Sequence, residues 1–344
     1  MNLLEKLLQT SSPSGTEEGI TSIVQNEVGG SFKTEYDSLG NLYISKGKGN
    51  LKIMITAHCD EVGFQITAID KDGFARIRRI GGADKYVLPG SVLVTHCGEK
   101  SIFGVIGKKS PHSQNEQDRN SFPDLSSNLF VDFGYSSKNE AERYIHVGQN
   151  LSFAPNRYWL NENKILVSKA LDNKLGVFVM LESLKLIQIN DNVQIIGVAT
   201  TQEEIGGKGA KISSNQLQPD ILLVIDCGVA TDIPCRFDWN YPELKIGKGP
   251  AICINADNSK ILVNTMRNVA ELNDVPYQLY PGNVYSGGNE ANIVWNSTKV
   301  NVANIFIPTR YMHSNCEMCE WNDVDNTIKL LTSTIQTIIN QDVL

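Results

Sequence analysis

The sequence predicts an α/β protein that carries a small β-rich insertion. Two observations lead there. Short apolar runs recur along the chain, and after about residue 163 they alternate with helical or loop segments, the pattern of a sheet covered on both faces. Between about residues 69 and 162 the texture changes to brief β runs separated only by turn signals. At 344 residues the chain also exceeds what one core usually serves. The expected organisation is a larger discontinuous unit, 1–68 with 163–344, interrupted by the 69–162 insertion.

The elements follow in order. "MNLLEKLLQTSSPSGTEEGI" predicts two helices broken at Pro13 and Gly15, with Ser14 and Glu17 at capping-box spacing before the second. "NLYISKGKGNLKIMITAH" predicts a hairpin in which the Gly and Lys cluster makes the turn and 51–57 forms a buried strand. The insertion contributes "IDKDGFARIRRI" and "GGADKYVLPGSVLVTHCGEKSIFGVIGKK", then the polar loop "SPHSQNEQDRNSFPD". An Asn-rich turn in "NRYWLNENKIL" leads to "VSKALDNKLGVFVMLESLKLIQ", an amphipathic helix entered at Asp172 and Asn173. Apolar strands in "NVQIIGVATTQEE", "DILLVIDCG" and "KVNVANIFIPTRYMH" complete the sheet.

Composition narrows the function classes. With 41% hydrophobic and 20% charged residues and no apolar stretch of bilayer length, membrane insertion is not expected. Against 38 acidic residues stand 31 basic ones, without a basic block, which disfavours nucleic acid as a partner. Seven cysteines, an odd number scattered through the chain, and an N-terminus without a basic region before a long apolar core point to the cytoplasm.

Polar residues gather at one end of the strands. "IMITAH" runs into His58 and Asp60, "IIGVATT" into Glu203 and Glu204, "LLVI" into Asp226, and "ANIFIPTRYM" into His313. Ligands of open α/β sheets bind outside the carboxyl ends of the strands, so these residues can converge, joined by Asp172 at the start of its helix. Two imidazoles with several carboxylates form a nitrogen and oxygen set that suits zinc, with cobalt and manganese as substitutes. A two-metal centre needs a shared carboxylate, and Asp172 is the candidate bridge. Adjacent side chains diverge, so Glu203 and Glu204 are not expected to ligate one ion alike. One of them is then free to act as a general base toward water attacking a carbonyl.

Taken together, "AHCDEVGF", "KALDNKLG", "TTQEEIGG", "LVIDCG" and "PTRYMHS" stand in a familiar order. The chain resembles the cocatalytic-metal aminopeptidases that include glutamyl aminopeptidases and the tetrahedral TET-type enzymes, some once labelled cellulases. The likeness runs nearly end to end, through "GGADKYVLPG", "GVIGKKSPH" and "DFGYSSKNEAE". It implies a mixed central sheet and a barrel-like insertion that serves dimerisation. It implies two divalent ions, zinc or cobalt with manganese as a further option, one on His58, Asp172 and Glu204 and the other on Asp172, Asp226 and His313. Glu203 would be the general acid and base in attack by a water between the ions, and Asp60 would support the His58 ring. Short peptides with a free N-terminus would be the substrates, and six dimers would build a tetrahedral dodecamer. The chain departs from the family pattern at "SGGNEAN", where Asn289 and Glu290 replace an expected Thr-Asp, and at Ser110, where a second proline is usual.

Plainer readings stand beside these. His58 alone would be a satisfied histidine at a strand end, and Glu203 with Glu204 a solvated acidic corner. Cys316 and Cys319 form a C-x-x-C without a second pair to complete a zinc site. His96, His112 and His146 read as surface or packing residues, and Arg76 to Arg79 as a solvated strand face. Competing functions are a two-metal amidohydrolase acting on acylated substrates, a silent oligomeric scaffold, and glycoside hydrolysis. The last would need two uncommitted carboxylic side chains.

Overall fold

A computed structural model describes residues 1–235, 242–282, 289–295 and 300–341. Four parallel strands form the centre of an eight-stranded sheet, in the order Val193–Thr200, Leu51–His58, Ile221–Val229 and Asn301–Thr309. Leu42–Gly47 and then Lys33–Tyr36 extend one side antiparallel. On the other side Ala251–Cys253 runs antiparallel to Asn301–Thr309 and is followed by Gln278–Tyr280. The sheet is mixed, as the family resemblance implies.

These strands are apolar at nearly every position because both of their faces are covered. Ile53, Ile55, Leu223, Ile225 and Ile305 face a core shared with helices Leu3–Gln9, Glu18–Val28, Leu171–Leu186, Lys260–Leu272 and Trp321–Gln341. Met54, Ile196, Val198, Leu222 and Val224 face a thinner layer, helices Lys208–Leu217 and Glu290–Trp295. Each large side chain buried this way stabilises the fold by about 1.5–3 kcal/mol. His58 and Asp226 share the alternation of Met54 and Leu222, so they project on the thinly covered side, where there is room for a site.

The insertion is a closed barrel of Gly63–Ile69, Ala75–Ile80, Phe130–Asp132, Lys100–Gly107, Val92–Cys97 and Asn150–Phe153, packed around its own core. Residue 69 ends its first strand, and Arg157–Leu160 pairs instead with Ile165–Ser168 in a small sheet completed by Glu317–Glu320. No helix among the described residues is long and apolar enough to cross a membrane.

Three local expectations are corrected. The strands 42–47 and 51–58 form no hairpin, because Val193–Thr200 lies between them. Gly49 explains this: a Cβ there would stand 1.8 Å from the carbonyl carbon of Asn192, so the glycine turn wraps closely around the start of the intervening strand. The capping box of Ser14 and Glu17 does not form; Ser14 Oγ donates to Asp60, and Glu17 Oε1 accepts from the N–H groups of Gly15 and Gln202. Helix Leu171–Leu186 is not amphipathic, being buried almost all round between the sheet and the helices Leu3–Gln9 and Trp321–Gln341.

Candidate metal centre

Each parallel strand delivers a polar group at its carboxyl end. His58 is the last residue of its strand and is in register with Thr200, just before the turn of Glu203 and Glu204. Asp226 lies two residues beyond Val224, which pairs with Thr56, so it stands beside His58 on the neighbouring strand. His313 follows Thr309 in a loop where its own φ is 64°. Asp172 comes from the first turn of Leu171–Leu186, where it and Asn173 leave helical dihedrals. Asn173 fixes that turn by donating to the Ile225 carbonyl and accepting from Gly176 N–H.

The side chains meet in two groups that share Asp172. His58 Nε2 lies 3.1 Å from Asp172 Oδ1 and 3.6 Å from Asp226 Oδ1. His313 Nε2 lies 3.4 Å from Asp172 Oδ2 and 3.4 Å from Glu204 Oε2. The ligand-type atoms of His58, Asp172 and Asp226 lie within 4.8 Å of one another, as do those of Asp172, Glu204 and His313. The resemblance implied His58 with Glu204 and Asp226 with His313, whereas the distances place Asp226 with His58 and Glu204 with His313. Asp226 follows His58 by strand register, whereas Glu204 sits on the turn facing the His313 loop. Glu203 is in neither group, and its Oε2 is 3.9 Å from His58 Nε2.

Asp60 does more than attend His58. The His58 Nδ1 is 3.2 Å from the Asp60 carbonyl and 3.4 Å from its carboxylate. The Asp60 carboxylate accepts from Glu203 N–H at 3.0 Å and Glu204 N–H at 3.1 Å, so it holds the glutamate turn as well as the ring. Glu317, which the sequence reading passed over between Cys316 and Cys319, is buried and accepts from Asp172 N–H at 2.9 Å and His313 N–H at 2.7 Å. The barrel also reaches the site, since His313 Nδ1 lies 3.2 Å from the carbonyl of Gly82.

Burial pushes the Glu203 carboxyl well above the usual range, with Asp226 and Glu204 adding to the effect and His58 opposing it. Glu204 and Asp226 are raised chiefly by burial too. Burial would also lower the imidazoles, but Asp172, Asp226 and Asp60 outweigh it at His58, and Asp172 and Glu204 push His313 up to about 11. Asp172 is held well below its ordinary value, because the two histidines overcome its burial. The carboxylates thus favour positive charge at both rings, whether a proton or a bound cation supplies it.

The residues fit divalent cations. The donors are nitrogen and oxygen only, and Glu204 Oε1 is buried without a hydrogen-bond partner beside them, free to take a cation or a water. Each ring can donate from Nδ1 to a carbonyl, leaving the Nε2 lone pair turned into its group.

Residues 40–330 match the family model of the M42 glutamyl aminopeptidases. The chain belongs to this family. A lysyl aminopeptidase of Pyrococcus furiosus is 33% identical, with 99% of this chain and 98% of that protein covered. Among solved structures, the TET aminopeptidase of the marine sediment archaeon Thaumarchaeota archaeon SCGC AB-539-E09 superposes with a TM-score of 0.90 at 27% identity, covering 99% of this chain and 97% of that one. The TET1 peptidase of Pyrococcus horikoshii, described as assembling into a tetrahedron or a large octahedral shell, gives 0.85 at 28% identity, with 96% and 98% covered. As an M42 member the chain is a peptide-bond hydrolase, with the mixed sheet and closed barrel of the TET peptidases.

Glu290 is buried and hydrogen-bonded to Thr200 Oγ1, whose residue is in register with His58, and it belongs to neither ligand group. Asn289 bonds within its own turn through Ala291 N–H. Cys316 is exposed and Cys319 buried, both free thiols. His96, His112 and His146 are exposed, as are Arg78 and Arg79.

Proposed function

We propose that the chain is a metal-dependent aminopeptidase that removes N-terminal residues from short peptides. The carrying observation is that Asp172 gives one oxygen to each of two ligand groups while the buried Glu203 carboxyl stands beside them, outside both. On this reading His58, Asp172 and Asp226 hold one divalent ion, and Asp172, Glu204 and His313 the other. Zinc or cobalt suits the donor set best, with manganese as a substitute. When bound, the ions supply Lewis acidity that polarises a peptide carbonyl and acidifies water. Glu203 takes the proton from the attacking water and passes it to the leaving amine, a task matched by its raised pKa. Asp60 keeps Glu203 at its post by holding the Glu203 N–H.

The assembly is proposed from the relatives. The barrel serves as the dimerisation unit, and dimers build a tetrahedral dodecamer that admits short or unfolded peptides. Seven free cysteines support a cytoplasmic setting.

The test is hydrolysis of a mixed peptide library, free and N-acetylated, by metal-reconstituted protein beside Glu203→Gln, with products read by mass. Stepwise loss of N-terminal residues from free peptides only is expected, with the variant slower by about 10²–10⁴-fold. Cleavage of acetylated peptides would reassign the site to an amidohydrolase. Equal rates in parent and variant would remove Glu203 from the chemistry.

A further inference from the structure

The stretch Thr10 to Glu17 precedes the residues matched by the family model, yet it touches both loops that carry the site. Its first half is anchored to the loop after His58. Ser12 N–H donates to Glu61 Oε1 at 2.8 Å, Glu61 N–H returns to the Ser12 carbonyl at 3.0 Å, and Ser12 Oγ donates to the Cys59 carbonyl at 2.9 Å. Glu61 is held in turn by the buried ammonium groups of Lys169 and Lys174, and both also donate to the Thr10 carbonyl.

The second half reaches the glutamates. Ser14 Oγ donates at 2.6 Å to Asp60 Oδ2, the same oxygen that accepts from Glu204 N–H. Glu17 Oε1 accepts from Gly15 N–H at 2.8 Å and from Gln202 N–H at 3.1 Å. Gln202 precedes Glu203 and has φ of 56°, a left-handed conformation that costs a non-glycine residue about 1 kcal/mol or more. The turn from Gln202 to Gly206 lies in no helix or strand. Hydrogen bonds to its backbone therefore do most to set where the two glutamate side chains point.

We infer that Ser14 and Glu17 are positioning residues for the catalytic turn, Ser14 acting through Asp60 on Glu204 and Glu17 through Gln202 on Glu203. The inference rests on the roles proposed for those glutamates. It also gives a use to the pair whose capping box is unmade. Both side chains face away from the helix they precede because they are engaged by the site.

The test compares Ser14→Ala and Glu17→Ala with the conservative Ser14→Thr and Glu17→Gln, each retaining a hydrogen-bonding oxygen. Three quantities are read: kcat and KM on a dipeptide anilide with a free amine, the visible absorption and calorimetric affinity of Co²⁺, and the thermal midpoint. Removing a group that orients a ligand or its neighbour costs about 10–100-fold. Glu17→Ala is expected to lower kcat by about tenfold at nearly constant KM. Ser14→Ala is expected to weaken Co²⁺ by about tenfold and alter its spectrum. The conservative variants should recover both, with thermal midpoints close to the parent. Parent-like kcat and Co²⁺ spectra in both alanine variants overturn the inference, as does a loss that the conservative variants do not recover. If the parent itself releases no N-terminal residue, the aminopeptidase reading falls, and the Co²⁺ arm still decides whether Ser14 places Glu204.

Discussion

Glu290 is an acid at a fully buried position. Its carboxyl bonds to Thr200, its Oε2 lacks a partner, and burial pushes its pKa up from about 4.5 to about 7. An acid raised on folding binds its proton more tightly folded than unfolded. Its stabilising contribution is complete below about pH 4.5 and is lost as the pH rises through 7. Glu290→Gln keeps the shape and removes the titration. Metal-free Glu290→Gln should therefore exceed the parent in stability at pH 8.5 by on the order of 2 kcal/mol, a gap that narrows toward pH 5 in urea unfolding. A gap that widens as the pH falls would mean that the carboxyl is ionised in the folded state. At this scale His58, Asp172, Glu203, Glu204, Asp226 and His313 were legible, because each ends or follows a buried strand or opens a helix. Their sorting into two groups was not, since it depends on strand register and on which way a turn faces. Glu317 was masked by the more conspicuous cysteines on either side.

The elements were legible where burial alone shapes them. Continuous apolar runs gave the parallel strands, but the loop "SKGKGN" resembles a hairpin turn whether or not a third strand enters between its arms. The approaches of Gly47 to Val193 and of Gly49 to Asn192 distinguish the two, and those are long-range contacts. The helix Leu171–Leu186 likewise hides a charged knot, with Lys174 buried beside Lys169 on the single carboxylate of Glu61. Burial pulls Lys174 down to about 7, whereas the two lysines hold Glu61 below its ordinary value against its burial. The two partners should then respond differently to removal. Glu61→Gln leaves the Lys169 ammonium buried against a neutral amide, with Lys174 already near neutrality beside it, and should cost about 3–5 kcal/mol. Lys174→Met leaves Glu61 bonded through both oxygens to Lys169 and should cost clearly less. Chemical denaturation at pH 7.5 reads both, and equal losses or the reverse order would refute this account of the knot.

For the whole molecule, the sequence showed the barrel as a change of texture, but its closure depends on Asn150–Phe153 returning to Gly63–Ile69 across most of the insertion. Once closed, the barrel fills its interior with Leu93, Ile106 and their neighbours, which leaves some outward residues without a structural use. Val92, Phe103 and Val105 are 42%, 54% and 45% exposed on two paired strands. Val92 lies opposite Val105, and Phe103 is two residues along on the same side, so the three form one apolar patch. Such a patch on a barrel wall is a natural contact between copies, in keeping with the dimer proposed above. A carboxylate placed there would have to be desolvated without a partner on association, at a cost of several kcal/mol. The double variant Phe103→Glu with Val105→Glu should sediment as a smaller species than the parent. Its melting should be little changed, because neither side chain belongs to the barrel core. Sedimentation identical to that of the parent would place the contact on another face, and a collapse in melting would mean that the patch supports the barrel itself.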